Sequence, residues 1–197
     1  IRSLASHLVS EYQAHVFDTG PLSHFARGGW LGALKFLTGD TPSWIPEAVV
    51  RELTDGQHQY NHLGLVLTAE WLLVDRSDDV AVLARTARYE ARLAAGGRNR
   101  GECAVLALAG VRGWTAVIDD AEARKIARED SIRYTTTARL LCQAIKSKQM
   151  TASSCAAIAD DLVRTDYRLP FRSGLEFLEW AVRQGILDLE DVQGIES

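Results

Sequence analysis

Cysteine is scarce in this 197-residue chain and follows no pattern: Cys103, Cys142 and Cys155 are odd in number and form no C-x-x-C pair. They sit in apolar, Ala-rich stretches, where a thiol packs as a small hydrophobe. A disulfide scaffold or zinc finger is therefore not expected, and a reducing cytoplasm is. No apolar run approaches the ~18 residues of a membrane span. Ile1-Arg2-Ser3-Leu4-Ala5 lacks the long apolar stretch and small-residue cleavage site of a signal peptide. Positive charge is not in excess either. The net charge is −4, so any attraction to nucleic acid has to come from a local patch. Neither a G-x-G-x-x-G nor a G-x-x-x-x-G-K-[ST] phosphate loop is present, and Gly96-Gly97 opens no strand–loop–helix unit.

What is present is the balance of a globular domain, 47% hydrophobic and 24% charged, enough to bury one sizeable core. Short apolar runs alternate with helical spacing. Ala14 to Phe17 reads as a strand that stops at the turn Asp18-Thr19-Gly20-Pro21. Leu22, Phe25, Trp30, Leu34 and Leu37 recur at helical intervals, broken at Gly28-Gly29. Trp44-Ile45 reads as a second strand, and Pro46 as the first turn of a helix running to Leu53. The stretch from Leu63 to Val74 fits helix and strand equally. A long helix is expected from Asp78-Asp79 to about Ala95, and another from Glu102 to Val111, ended by Gly113. Thr115 to Ile118 reads as a buried strand, Ala121 to Glu129 as a helix and Ile132 to Thr135 as a short strand. From Thr137 onward the pattern is helical, interrupted at Pro170. Alternation of this kind predicts an α/β sandwich with a mostly parallel sheet, in which ligands bind beyond the carboxyl ends of the strands.

Acids fall at those ends. Asp18 closes the first strand, Asp119 and Asp120 close a later one, and Glu102 opens a helix. Carboxylates crowded on one sheet edge repel unless a cation neutralises them, and all-oxygen sites suit Mg²⁺ or Mn²⁺. Each acid also has an ordinary reading. Asp18, Asp119 and Asp120 suit turns and N-caps, Glu102 suits a helix dipole, and Glu52 beside Arg51 looks like a surface residue. Asp18-Thr19-Gly20 spells an aspartic-protease triplet, but that chemistry needs two triplets in an all-β setting. His58 and His62 have metal-ligand spacing without the Glu of a zinc protease, and read as surface. Cations lie close to the acids in sequence: Arg98 and Arg100 precede Glu102, and Arg124, Lys125 and Arg128 follow the Asp pair. Arg85, Arg88 and Arg92 share a helical face. These are either phosphate contacts or solvated ion pairs. The tryptophans are read as core, and Thr135 to Thr137 as packing or capping residues.

Four segments, VFDTGPLSHFARGGWLGALKFL, IPEAVVRELTDG, RGECAVLALAGVRGWTAVIDDAEARKIARE and YTTTARLLCQAIKSKQ, occur in this order over about Val16 to Lys148. Together they resemble the PIN-domain family of Mg²⁺/Mn²⁺-dependent nucleases, particularly its toxin-like branch associated with VapC toxins. LVRTDYRLPFRSGLEFLEWAVRQGIL resembles the helical tail of some members. The resemblance implies a PIN-like three-layer α/β/α sandwich over 1–150, with a helical C-terminal extension over 151–197 packed on it. It places the family's acids on Asp18, Glu52, Glu102 and Asp120, with Asp119 as the alternative to Asp120, because Ile118 stands where relatives carry a strand-closing Thr. Arg98, Arg100 and Arg124 are expected as substrate contacts from their place beside those acids in the sequence. The implied activity is metal-dependent hydrolysis of RNA phosphodiesters, leaving a 5′-phosphate and a 3′-hydroxyl. An antitoxin protein and a homodimer through helical surfaces are the implied partners. The competing expectation is a PIN fold that binds RNA or protein with weak or no catalysis.

Overall fold

Five short strands carry the fold, and a computed structural model describes residues 13–76, 78–93 and 99–192. β1 (His15–Phe17), β2 (Ser43–Pro46), β3 (Leu72–Asp75), β4 (Thr115–Val117) and β5 (Tyr134–Thr135) pair in the order β3-β2-β1-β4-β5. Every neighbouring pair is parallel. Val16, Phe17, Ala116 and Val117 are all fully buried. Consecutive apolar residues, rather than an alternating pattern, are what strands covered on both faces require.

Helices make the crossovers. α1 (Thr19–Arg27) and α2 (Leu31–Thr38) join β1 to β2, and α3 (Glu47–Gln57) and α4 (Leu63–Leu67) join β2 to β3. α5 (Val80–Leu93) and α6 (Arg100–Arg112) lead back to β4, and α7 (Ala121–Glu129) leads to β5. α8 (Thr137–Lys146), α9 (Ala152–Arg164), α10 (Gly174–Arg183) and α11 (Leu189–Val192) follow. The chain thus runs outward from β1 on one side and returns to β4 on the other. This leaves a switch point between the carboxyl ends of β1 and β4, the place where open α/β sheets bind ligands.

α6 is the central helix. Its residues from Cys103 to Ala109 are all buried, and it packs on β1, β2, β4, α3, α5 and α7. A helix apolar all round has no solvent face to offer. Asn99 (φ 70°) and Gly113 (φ 69°) bracket it in the left-handed region, which Asn and Gly tolerate best. Burial pushes the thiols of Cys103 and Cys142 up to about 12 and that of Cys155 up to about 11. The cysteines are thus packing groups rather than nucleophiles.

The last helices belong to the same core. Ile158 and Leu162 of α9 and Phe177 of α10 join Val16 and Leu106 in one buried cluster. Burying side chains of this size stabilises by ~1.5–3 kcal/mol each. α9 and α10 approach so closely that a Cβ on Gly174 would stand 2.2 Å from the Ala156 carbonyl oxygen.

Several boundaries differ from the sequence expectation. The ambiguous stretch divides into α4 and then β3, and a turn that begins at Thr68, the C-cap of α4, separates them. Pro46 ends β2 in extended geometry (φ −71°, ψ 156°) and serves as the N-cap of α3 rather than its first turn. α6 begins at Arg100, so Glu102 lies inside its first turn. β5 contains only Tyr134 and Thr135, and Ile132 before it is buried. The expected continuation of α5 to Ala95, and Arg98, lie outside the described residues. Among the described residues no helix is long and apolar enough to cross a membrane.

Candidate active site

Asp18 follows β1 directly and its amide N–H donates to the Val117 carbonyl at 3.2 Å, which seats it at the switch point. It is the N-cap of α1, its Oδ2 accepting from Gly20 N–H at 3.3 Å. The side chain is buried, and Oδ1 has no hydrogen-bond partner among the described residues. Burial first, then the charges of Glu102 and Glu52, push this carboxyl well above the usual range against the opposing Gly20 bond. An orphaned buried carboxylate oxygen is costly.

Glu52 comes from α3 and is half-buried, not the surface residue that its Arg51 neighbour suggests. The Thr19 hydroxyl donates to its Oε2 at 2.5 Å and Gly101 N–H to its Oε1 at 2.8 Å. Glycine at 101 is what lets this happen, because a Cβ there would stand 2.6 Å from Oε2. Glu102, one residue on, is half-buried. Burial raises its carboxyl, and the neighbouring charges of Glu52 and Asp120 add to the rise. Asp18, Glu52 and Glu102 therefore feel one another across three elements that are distant in sequence.

The aspartate pair divides. Asp120 is exposed and caps α7 through a bond from Ala123 N–H at 2.8 Å, with its charge reaching Glu102. Asp119 accepts from the Thr137 amide at 3.1 Å, the Thr137 hydroxyl at 2.6 Å and the Tyr167 hydroxyl at 2.5 Å. Burial nevertheless raises its carboxyl above the ordinary value, because those bonds offset only part of the desolvation. Thr136 caps α8 by accepting from Arg139 N–H, as a capping residue should, whereas Thr137 serves the aspartate.

Tyr167 is the residue that sequence reasoning missed. It follows α9, stacks on His24 with ring centroids 4.0 Å apart and planes at 11°, and its hydroxyl is buried against Asp119. His24 in turn meets the Thr165 hydroxyl through Nδ1 at 2.7 Å, and burial lowers its pKa to about 4, so the ring is neutral at pH 7. No local signal marks Tyr167, which lies 48 positions from Asp119 in a stretch read simply as a helical tail.

The cations separate as well. Arg88 pairs with Asp130, and Arg92 with Glu129 and Asp130, so this part of the α5 face forms ion pairs within the fold. Arg100 is exposed at the start of α6, and Arg98 lies outside the described residues. Arg124 lines a cavity of about 240 Å³ together with Asp119, Thr136, Arg168, Leu169 and Trp180. Trp30, Trp71, Trp114 and Trp180 pack against the core, as expected, and Trp44 stacks on Trp114 with centroids 5.4 Å apart. Trp180 reaches the cavity too.

Among the described residues no group of three His, Cys, Asp or Glu side chains stands in ligating arrangement. The donor set at Asp18 still fits a hard divalent cation. It is all oxygen, one buried oxygen lacks a partner, and the carboxyls are held against mutual repulsion. A family model described as a PIN domain matches residues 14–181, from just before β1 into α10. No curated protein and no solved structure matches the chain. A parallel five-stranded α/β fold with acids gathered at its switch point agrees with that match, and the chain belongs to the PIN-domain family, whose members are generally nucleases.

Proposed function

We propose that this PIN domain is a Mg²⁺- or Mn²⁺-dependent endoribonuclease and the toxin of a toxin–antitoxin pair. The observation that carries the reading is the buried, unpartnered Oδ1 of Asp18, a carboxyl that feels the charges of Glu102 and Glu52. Asp18, Glu102 and Asp120 would hold the cation, directly or through water. When bound, such an ion supplies a polarised water and neutralises charge on a phosphodiester. Glu52 positions rather than reacts, since its two oxygens tie the start of α1 to the start of α6. Asp119 is assigned to the neighbouring cavity, its carboxylate being held by Thr137 and Tyr167. Arg100, two residues before Glu102, and Arg124, four residues after Asp120, serve phosphate.

The reading includes an antitoxin protein that covers the acidic pocket, and a homodimer. α8 commits Leu140, Leu141 and Ile145 to the core of its own chain, so exposed apolar residues such as Phe36, Leu65 and Leu175 remain for a second copy. A reducing cytoplasm is part of the same proposal.

The test is cleavage of end-labelled single-stranded and hairpin RNAs with Mn²⁺, Mg²⁺ or EDTA, beside Asp18→Asn and Asp120→Asn. Metal-dependent cleavage lost in both variants is the expected result. Cleavage that survives both refutes the site. The second reading, an RNA-binding or interaction module with weak catalysis, is favoured by the commitment of both Glu52 oxygens to Thr19 and Gly101. It predicts RNA binding without cleavage.

A further inference from the structure

The 240 Å³ cavity beside the acids has a composition that the acidic site does not explain. Arg124 and Arg168 both line it, and neither makes an ion pair with a described residue. Arg124 spends one donor, Nε, on the Asp120 carbonyl at 3.3 Å. Apolar surface in the same lining comes from Leu169, Pro170 and the half-buried Trp180, all from the C-terminal helices and their connection. The Asp119 carboxylate also lines it, accepting from Thr137 and Tyr167 and feeling the Arg124 charge, which leaves Arg168 as the cation without a described acidic neighbour among the ion pairs. Arginine with a flat apolar surface is the pairing that takes a phosphate and a base together. The volume lies below the ~300–1,000 Å³ of pockets that engulf a whole ligand, which suits one unit of a longer strand.

We propose that this cavity is a subsite for one nucleotide of a single-stranded RNA, with the phosphate on Arg124 and Arg168 and the base on Leu169, Pro170 and Trp180. Single-stranded RNA is the class that fits, because only an unstacked base enters a side pocket. The C-terminal helices then act as part of the substrate surface and not only as packing. The proposal rests on the nuclease reading and deepens it.

The experiment is fluorescence anisotropy of the full chain with a short labelled single-stranded RNA in EDTA, repeated across a range of salt. Wild type is compared with Arg168→Gln, Trp180→Leu and the ion-paired control Arg88→Gln, each checked for an unchanged circular dichroism spectrum. Arg168 is exposed, so its variant tests the subsite even where Trp180→Leu disturbs packing. Arg168→Gln is expected to weaken binding and lower the salt slope by ~0.7, one single-strand phosphate contact. Trp180→Leu is expected to weaken binding about tenfold, the scale of one lost base stack, with the salt slope unchanged. Wild-type affinity in both variants overturns the subsite, and metal-dependent cleavage then leaves the nuclease reading standing. Binding lost in the variants from a wild type that never cleaves supports the subsite and refutes the nuclease. A wild type that neither binds nor cleaves overturns both.

Discussion

Gly101→Ala sets two effects of opposite sign against each other. In a helix, Ala is favoured over Gly by ~1 kcal/mol, and by propensity alone the variant should be the more stable protein. The structure reverses that. The new Cβ would lie 2.6 Å from Oε2 and 3.0 Å from Cδ of Glu52, so the carboxylate must move and its bond from Gly101 N–H is lost. A hydrogen bond to a charged group contributes ~1.5–3 kcal/mol. Displacing Glu52 also strains its bond from Thr19, whose length is 2.5 Å. The net is a destabilisation of about 1–2 kcal/mol. For a chain of this size that lowers Tm by roughly 2–8 °C. Thermal unfolding followed by circular dichroism measures it, in wild type and in a Glu52→Ala background. With the carboxylate removed, the clash and the bond disappear together, and Gly101→Ala should then raise Tm. A rise in the wild-type background, or the same fall in both, refutes the cradle between α3 and α6.

Three further outcomes concern the carboxyls, the cation and the contact between α9 and α10. In EDTA, Asp18, Glu102 and Asp119 keep their protons to higher pH in the folded chain than in the unfolded one. Stability therefore falls as pH rises from the ordinary carboxyl range through the raised values. Asp18→Asn, which preserves an N-cap, should flatten that fall and melt higher than wild type at pH 7; a lower Tm for the variant contradicts it. Adding Mn²⁺ at about 100 times its Kd should stabilise wild type by ~2.7 kcal/mol and Asp18→Asn by much less. Equal thermal shifts would place the ion elsewhere. Gly174→Ala drives a Cβ to 2.2 Å from the Ala156 carbonyl oxygen, a backbone atom that cannot swing aside. Overpacking of this kind costs ~1–3 kcal/mol, and a urea midpoint unchanged from wild type would show that α9 and α10 part without cost.

Much of this molecule was written locally. The apolar runs at Val16-Phe17 and Ala116-Val117 are too short and too uniformly hydrophobic for a half-exposed strand, and both are buried parallel strands. Ala121 to Glu129 needs only its Asp120 cap to declare a helix. Asp18 at a strand end and Glu102 in a first turn were equally readable, because each acid's place depends on residues beside it. What the stretch from Leu63 to Val74 would become depended on packing, since the same leucines and valines serve either period.

The partners of those acids were a different matter. Glu52 beside Arg51 has every mark of a surface residue until α3 packs on α6 and brings Gly101 N–H within 2.8 Å of its carboxylate, 49 positions away. The residues themselves do not separate the aspartates at 119 and 120, and only the family resemblance favours Asp120. Burial and the arrival of Thr137 and Tyr167 send one into a hydrogen-bonded network, and the first turn of α7 keeps the other at the surface. Sequence by itself determined most of the strands and helices and which acids stand at their ends, because those follow from neighbours along the chain. Tertiary structure alone decided which carboxylates share a field, which are already satisfied and that Tyr167, from beyond α9, meets Asp119. Charge and burial act through space, over distances that sequence separation does not measure.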